Sequence, residues 1–467
     1  MELFTNIINE ANYVLWTYVL IIMLLGCAIW FSVKTRFVQF RMLGEMIRLL
    51  GDSTAKINGH EKHISSFQAF TISLASRVGT GNLAGVATAL TVGGPGAIFW
   101  MWIIALLGSS SAFVESTLAQ LFKVKGKHSY VGGPAYYMER GLKKRWMGVL
   151  FAVLITVTFG LAFNSVQSNT MSAALQSAFS IEPLNSGIVI SVLTLVIIFG
   201  GVHRIAAISS VIVPVMAVGY IALALFVVLA NIDRIPAVVE QIVGNAFGWH
   251  QAVGGGIGTA LMQGIKRGLF SNEAGMGSAP NAAATAHVTH PAKQGFIQAL
   301  GVFTDTLLIC SCTAFIIILF GEDYVGSGLD GIQLTQAALT SEVGNIGGIY
   351  VAIATLCFAY SSILGNYYYG EANIRFFTSR QWPVVLYRML VGGMVLFGSL
   401  ASLNLVWNLA DVTMALMSIC NLIAIFLLGK YAFRLLDDYL AQKRKGIKSP
   451  VFHKEQMKDI EQDLECW

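Results

Sequence analysis

Ala75-Ser76-Arg77-Val78-Gly79-Thr80-Gly81-Asn82 interrupts an apolar run with glycines and polar side chains. Phe270-Ser271-Asn272-Glu273-Ala274-Gly275-Met276-Gly277 does the same in the second half of the chain. Bilayer hydrocarbon offers no water to free backbone groups. Unwound chain survives there only when buried in protein or lining a cavity. Two interruptions in corresponding positions of two halves point to a binding site near the membrane midplane.

The surrounding chain supports a membrane setting. Its 467 residues are 55% apolar and 12% charged, with a mean hydropathy of +0.66. A soluble chain carries roughly 25% charge. An ordinary soluble enzyme is excluded, and the net charge of +5 is no nucleic-acid footprint. Cys27, Cys310, Cys312, Cys357 and Cys420 fall within apolar runs, apart from Cys466. They read as buried small hydrophobes, because Cys310-x-Cys312 lacks the spacing and companions of a zinc site. Glu2 and Glu10, with no early Lys or Arg, do not make a signal-peptide start. The first apolar run is therefore expected to remain as a span.

Eleven apolar runs can be read: 13–33, 64–90, 97–122, 146–179, 187–201, 205–230, 254–284, 295–320, 347–369, 382–401 and 405–428. All but the shorter 187–201 hold about 20 residues or more, the length that spans about 30 Å of hydrocarbon. With the first run entering from outside, Lys34, Arg36, Arg41, Arg48, Lys56, Lys62, Lys123, Lys125, Lys127, Arg140, Lys143, Lys144, Arg145, Arg204, Lys293, Arg375 and Arg380 share one side. Eight more basic residues follow between 430 and 458. The opposite loops hold Arg234 beside Asp233, Glu240, Glu322, Asp323, Asp330 and Glu342. The positive-inside rule then puts the N-terminus outside and the C-terminus in the cytoplasm.

Removing the first run leaves ten, and each set of five opens with an interruption. Five is odd, so the halves have opposite topology, as in the inverted repeats of secondary transporters. The expected organisation is an extra N-terminal helix with a basic loop (1–63), a first repeat (64–230), a second repeat (231–429) and a cytoplasmic tail (430–467).

Gly79 and Gly81 allow unusual backbone angles and close approach of a ligand. Free N–H groups at the start of the following half-helix suit a carboxylate. Free carbonyls suit a hard cation, by analogy with other oxygen-ligated ions. An amino-acid zwitterion and a cation could thus share the break. Packing glycines are the competing reading. A dinucleotide-binding loop does not fit: in Gly79-Thr80-Gly81-Asn82-Leu83-Ala84-Gly85 the third glycine falls one residue late, and no strand precedes it.

At these residues the chain resembles a known family. Gly93-Gly94-Pro95-Gly96-Ala97-Ile98-Phe99-Trp100-Met101-Trp102-Ile103-Ile104-Ala105-Leu106-Leu107-Gly108 is similar to the signature of the alanine or glycine:cation symporters. Gly132-Gly133-Pro134-Ala135-Tyr136-Tyr137, the stretch 270–280 and Tyr367-Tyr368-Tyr369-Gly370-Glu371 also resemble that family. The resemblance runs from about residue 60 to 430. It implies an all-α polytopic membrane protein with a LeuT-type 5+5 inverted repeat and one extra N-terminal helix, eleven helices in total. It further implies cation-coupled uptake of alanine and glycine across a cell (inner) membrane, with glutamine taken by some members. Na⁺ is the expected coupling ion and H⁺ the alternative. No organic cofactor, no nucleic acid and no obligatory protein partner is expected.

The resemblance also implies roles for residues. Val78-Gly79-Thr80-Gly81-Asn82 is similar to the V-G-L-G-N of LeuT-type transporters, where amides corresponding to Thr80 and Gly81 hold the substrate carboxylate and Asn82 contributes its side chain. The second break resembles F-T-x-S-x-G-F-G and brings Phe270, Ser271, Gly275, Met276 and Gly277 to the substrate. Glu273 departs from that pattern, where serine is expected. Its carboxylate either faces the cation or the substrate ammonium, or caps loose backbone. Tyr360-Ser361-Ser362 resembles the T-S-S stretch of the sodium site, with Ser361 and Ser362 supplying hydroxyls and Ala75 and Val78 carbonyls. Interhelical hydrogen bonding is the competing role for the two serines.

Charges inside a membrane are costly and mark functional candidates. They are Arg77, Glu115, Lys266, Arg267, Glu273, Asp305, Arg388 and Asp411. Arg77 is a candidate inner-gate residue paired with an acid, Lys266 and Arg267 belong toward an outer gate, and Asp305 could support Glu273. Static pairing is the alternative for each. Asn164 and Gln167 share a helix face, with Gln167 a candidate substrate-lining residue. His287 and His290, without further ligands, read as loop residues. The breaks are built mainly from small residues, which favours small substrates. A membrane-embedded enzyme lacks support, since neither H-E-x-x-H nor G-x-S-x-G occurs. A channel shares the composition but does not call for paired breaks.

Overall fold

In a computed structural model the chain is described over residues 2–52, 64–126, 129–200, 202–248, 256–321 and 328–467. Lys56, Lys62, Lys127, Glu322, Asp323 and the run ends at 201 and 254 lie outside the described residues, as does the side chain of Arg204. Among the described residues seven helices are long and apolar enough to cross a bilayer: Asn6–Lys34, Gly96–Leu121, Arg145–Phe179, Ala292–Leu319, Asn345–Phe377, Trp382–Leu400 and Leu403–Arg444. Pro214–Ala230 and Ile235–Ala246 meet that standard together but are bent by 104°. Pro183–Ile198 is apolar but has 16 residues.

The two glycine-rich segments are interrupted helices. Ser66–Arg77 starts with a capping box in which the Ser65 hydroxyl and the Gln68 amide satisfy each other's backbone N–H groups. It ends where Val78 turns extended, at φ −77° and ψ 93°. The chain resumes as a wide π turn, Gly81–Gly85, and then as Val86–Gly93. In the second half, Ile257–Asn272 stops at Glu273, whose φ is +57°, and Ala279–Ala283 carries on beyond Gly275 and Gly277 at φ +86° and +85°. The left-handed region is open to glycine without steric cost, and a non-glycine there is uncommon.

Helix Gly96–Leu121 packs along both the second interrupted helix and Ala292–Val302. Wide π turns also occur at Thr158–Phe163 and Phe303–Cys310, and both border the breaks. Such turns concentrate at functional sites. Several described elements lie outside the apolar runs, among them the amphipathic Leu43–Leu50, Pro134–Arg140, the Ile235–Ala246 arm and Gly331–Val343. A two-residue hairpin, Val124–Lys125 with Tyr130–Val131, is a small exception to the all-α expectation.

The expected tail differs most. Leu403–Arg444 runs unbroken past residue 430, and 450–467 folds back on the body. The Phe452 N–H donates to the Thr289 carbonyl at 2.9 Å, and Trp467 Nε1 donates to the Gln120 carbonyl at 3.0 Å. Lys123, 2% exposed, lies between the rings of Tyr130 and Trp467 at 4.3 and 4.6 Å. Burial pushes its ammonium down to about 7. Apolar side chains and acids at the end of a polar segment made this return possible, but they follow no simple period.

Candidate functional site

The first break gathers oxygen atoms. Ser362 Oγ, on Asn345–Phe377, lies 3.1 Å from the Ala75 carbonyl and 3.2 Å from the Val78 carbonyl. Its single proton serves one acceptor at a time, so the cluster carries unused lone pairs. A Cβ on Gly79 would collide with Ser362 Oγ, so glycine is what lets this hydroxyl reach the break. Both serine hydroxyls reach the Phe358 carbonyl of their own helix, Ser361 at 2.8 Å and Ser362 at 3.1 Å, but only Ser362 also meets the break.

The break's amides are also placed. Gly79 N–H donates to Asn82 Oδ1 at 2.9 Å, and Thr80 N–H donates to Gln167 Oε1 at 3.1 Å. Thr80 Oγ1 is buried without a hydrogen-bond partner among the described residues. Asn82 Nδ2 donates to Asp305 Oδ1 at 2.7 Å, while Ser271 and Thr306 hydroxyls donate to Asp305 Oδ2 at 2.8 and 2.9 Å. Asp305 thus joins the two breaks through Asn82 and Ser271; neither of its oxygens bonds Glu273. Cys310 is more than a buried hydrophobe: its sulfur lies 3.3 Å from Asn82 Nδ2 and 3.2 Å from Ser271 Oγ.

Glu273 forms the second tie. Its carboxylate meets Ser76 Oγ at 2.7 Å and accepts from Ser278 Oγ at 2.6 Å. It therefore spans both interrupted helices through hydroxyls rather than capping backbone. Ser76 Oγ also lies 2.8 Å from Asn366 Oδ1, and Asn366 in turn donates to Asn164 at 3.1 Å. Gly275 and Gly277 direct their amides to Glu115, and Met276 is fully buried beside them.

Aromatic rings close the side toward Arg267. Phe270 packs on Phe163 and Trp407 at centroid distances of 4.4 and 4.6 Å. Its Cδ1 would lie 3.0 Å from a Cβ on Gly81. Arg267 stacks 4.2 Å over Trp407 and pairs with Asp411 at 2.7 Å, while Lys266 lies 3.4 Å from the same oxygen. On the other side, Arg77 donates to the Gln298 carbonyl at 3.2 Å. Its Nε and Nη2 have no hydrogen-bond partner among the described residues. His290 bonds Asp438 at 3.1 Å, and burial pushes its imidazole below the usual range.

Sequence reasoning missed Cys310, Trp407 and Asn366 as neighbours of the breaks, and gave Ser76, within the first break, no role. It named Glu115 only as a charge. Trp407 and Ser76 carry no distinguishing pattern. Asn366 lies four residues after Ser362, which places it on the same helix face.

Two interrupted helices tied by buried carboxylates, inside a bundle of apolar spans, define a secondary transporter. The chain belongs to the sodium:alanine symporter family, whose profile matches residues 1–454. It is 54% identical to the probable sodium/glutamine symporter GlnT of Bacillus subtilis (strain 168), over all of this chain and 96% of that one. It is 38% identical to the sodium/alanine symporter AgcS of Methanococcus maripaludis, over 91% and 95% of the two chains. The structure of MhsT in complex with L-phenylalanine shares the fold, with a TM-score of 0.54 at 15% identity, covering 88% of this chain and 94% of that one. The protein is thus a multi-pass membrane transporter of a symporter family, not an enzyme, with a LeuT-like fold.

Proposed function

We propose that this protein couples Na⁺ entry to uptake of small neutral amino acids, alanine and glycine first, by alternating access. In this reading all eleven runs cross the bilayer as an extra helix (1–63) and two inverted repeats (64–230 and 231–429). The N-terminus is outside and the end of the chain cytoplasmic. The observation that carries it is the placement of Ser362 Oγ beside the Ala75 and Val78 carbonyls, the latter two residues before the Thr80 amide in the same break. An all-oxygen donor set suits a hard cation, and the adjacent amides suit a carboxylate. Cation and amino acid then stabilise the same arrangement of the first break, which is the physical basis of coupling.

Within this reading Thr80, Gly81 and Asn82 receive the substrate carboxylate, displacing the neutral oxygen of Gln167. Phe270, Ser271 and Met276 bound its side chain. Glu273 draws the ammonium toward the second break, where Gly275 and Gly277 shape the backbone. Ala75, Val78 and Ser362 form the sodium site, with Ser361 holding the helix that carries it. Arg77 serves the cytoplasmic gate by exchanging partners as that side opens. Glutamine is the second substrate reading, favoured by the name of the 54% identical relative. Equilibrium binding of labelled alanine and glutamine to purified protein, titrated with NaCl or KCl, tests the scheme. Binding promoted by Na⁺ and not K⁺ is expected; ion-independent binding would contradict Na⁺ coupling.

A further inference from the structure

The two breaks differ in what already occupies their amides. Glu115 belongs to neither break; it lies on Gly96–Leu121 and is 0% exposed. Its Oε1 accepts the Gly275 N–H at 3.1 Å, and its Oε2 accepts the Gly277 N–H at 3.1 Å and Asn421 Nδ2 at 2.8 Å. Asn421 also donates to the Gly275 carbonyl at 2.9 Å and accepts from the Tyr137 hydroxyl. Among the described residues the three hydrogen-bond partners of the Glu115 carboxyl are all donors, so a proton on it would find no acceptor among them.

The backbone makes this cradle. Gly275 and Gly277 both have left-handed φ values, which turns their two N–H groups toward one point. The Met276 N–H between them donates to the Glu273 carbonyl instead, and the two converging glycine amides make a concavity that suits an anion. Glycine is required at 277, where a Cβ would sit 2.8 Å from Asn421 Cγ. The first break also presents two amides, Gly79 and Thr80, but their acceptors are the neutral oxygens of Asn82 and Gln167. A carboxylate can displace a neutral acceptor because its hydrogen bonds are stronger. It cannot displace a tethered carboxylate of equal charge, and it is repelled by one.

We infer that Glu115 is a positioning residue: a built-in anion that fills the second break, closes it to the substrate carboxylate and so fixes the orientation in which an amino acid binds. The inference rests on the amino-acid reading above and deepens it. The substrate carboxylate goes to the first break because the second already holds one. The ammonium end then faces the acidic side of the site.

The test replaces the tethered anion with a free one. In purified Glu115→Ala, formate is expected to raise the melting temperature in a concentration-dependent way. Formamide, neutral and of similar size, should not, and the wild type should respond to neither. In proteoliposomes, E115A should lose roughly tenfold or more of its alanine uptake, with formate restoring part of it. Should E115A fail to fold, Glu115→Gln carries the test through propionate, a carboxylate without an ammonium. Propionate should inhibit alanine uptake by E115Q and leave the wild type unaffected. Wild-type uptake by E115A, no formate shift, or no propionate inhibition of E115Q would each overturn the inference. The formate shift is read without any substrate. Failure of the wild type to transport amino acids would therefore fall on the proposed function, while the formate result would still decide this point.

Discussion

Asn82 donates from Nδ2 to Asp305 Oδ1 at 2.7 Å, although 223 residues separate them. The same carboxylate takes the Ser271 hydroxyl at 2.8 Å, so one buried acid holds the two breaks in register. Removing Asp305 strands three donors, and each unsatisfied buried group costs about 1–3 kcal/mol. A double-mutant cycle of Asn82→Ala and Asp305→Ala, read by thermal unfolding, should give a coupling of about 1 kcal/mol or more. Additive effects would show that the contact is incidental.

Ser362→Ala should weaken Na⁺ activation, while Ser361→Ala should leave it near wild type. Ser362 faces the Ala75 and Val78 carbonyls; Ser361 bonds its own helix. A hydroxyl serving a charged group contributes about 1.5 kcal/mol, or roughly a tenfold rise in the half-saturating Na⁺ concentration. Uptake measured across a Na⁺ series distinguishes the two serines, and equal effects would contradict the site.

Gly81→Val should weaken substrate binding while the protein still inserts. Already the first added carbon would stand 3.0 Å from Phe270 and 3.2 Å from Ser271 Cα. Overpacking of about 1–3 kcal/mol corresponds to roughly 5- to 150-fold in affinity. Binding of labelled alanine, normalised to folded protein, provides the measurement.

Much of this arrangement was legible in the chain. Gly79 and Gly81 could be recognised because glycine pairs inside an apolar run conflict with an uninterrupted helix. Charge asymmetry between loops required no structure. The partner of each buried charge was not legible, since Glu115 meets Gly275 and Asp411 meets Arg267 across distances in sequence that no periodicity encodes. Ser361 and Ser362 are adjacent and chemically alike, and only the rotation of their helix separates their roles. The π turn Phe303–Cys310 brings Cys310 to Asn82, and such turns have no residue signature.

Asp411→Ala should destabilise the fold by roughly 3–5 kcal/mol, the cost of leaving a buried charge without its partner. Arg267 pairs with this acid at 2.7 Å, and Lys266, which also donates to Asn12 at 2.8 Å, lies 3.4 Å from it. Thermal unfolding of D411A against Asp411→Asn measures the effect. The asparagine variant should recover part of the loss by accepting from Arg267.

Lys123→Met should stabilise the protein most at low pH. Burial pushes the Lys123 ammonium from its usual value down to about 7. Below pH 7 the folded chain therefore carries the buried charge and its full penalty. As pH rises from about 7 toward 10.5, the folded state has shed the proton and the unfolded state has not, so the penalty fades. The gain from K123M should shrink over that window in melting curves recorded from pH 6 to 10, and a gain independent of pH would contradict this placement.

In the proposed mechanism a Na⁺ gradient drives amino-acid accumulation through the two breaks. Proteoliposomes loaded with K⁺ and diluted into Na⁺ should concentrate labelled alanine above the external level. They should fail to do so when the Na⁺ gradient is collapsed, with glutamine measured in parallel. Equal uptake with and without the gradient, or no accumulation of either amino acid, would contradict the account.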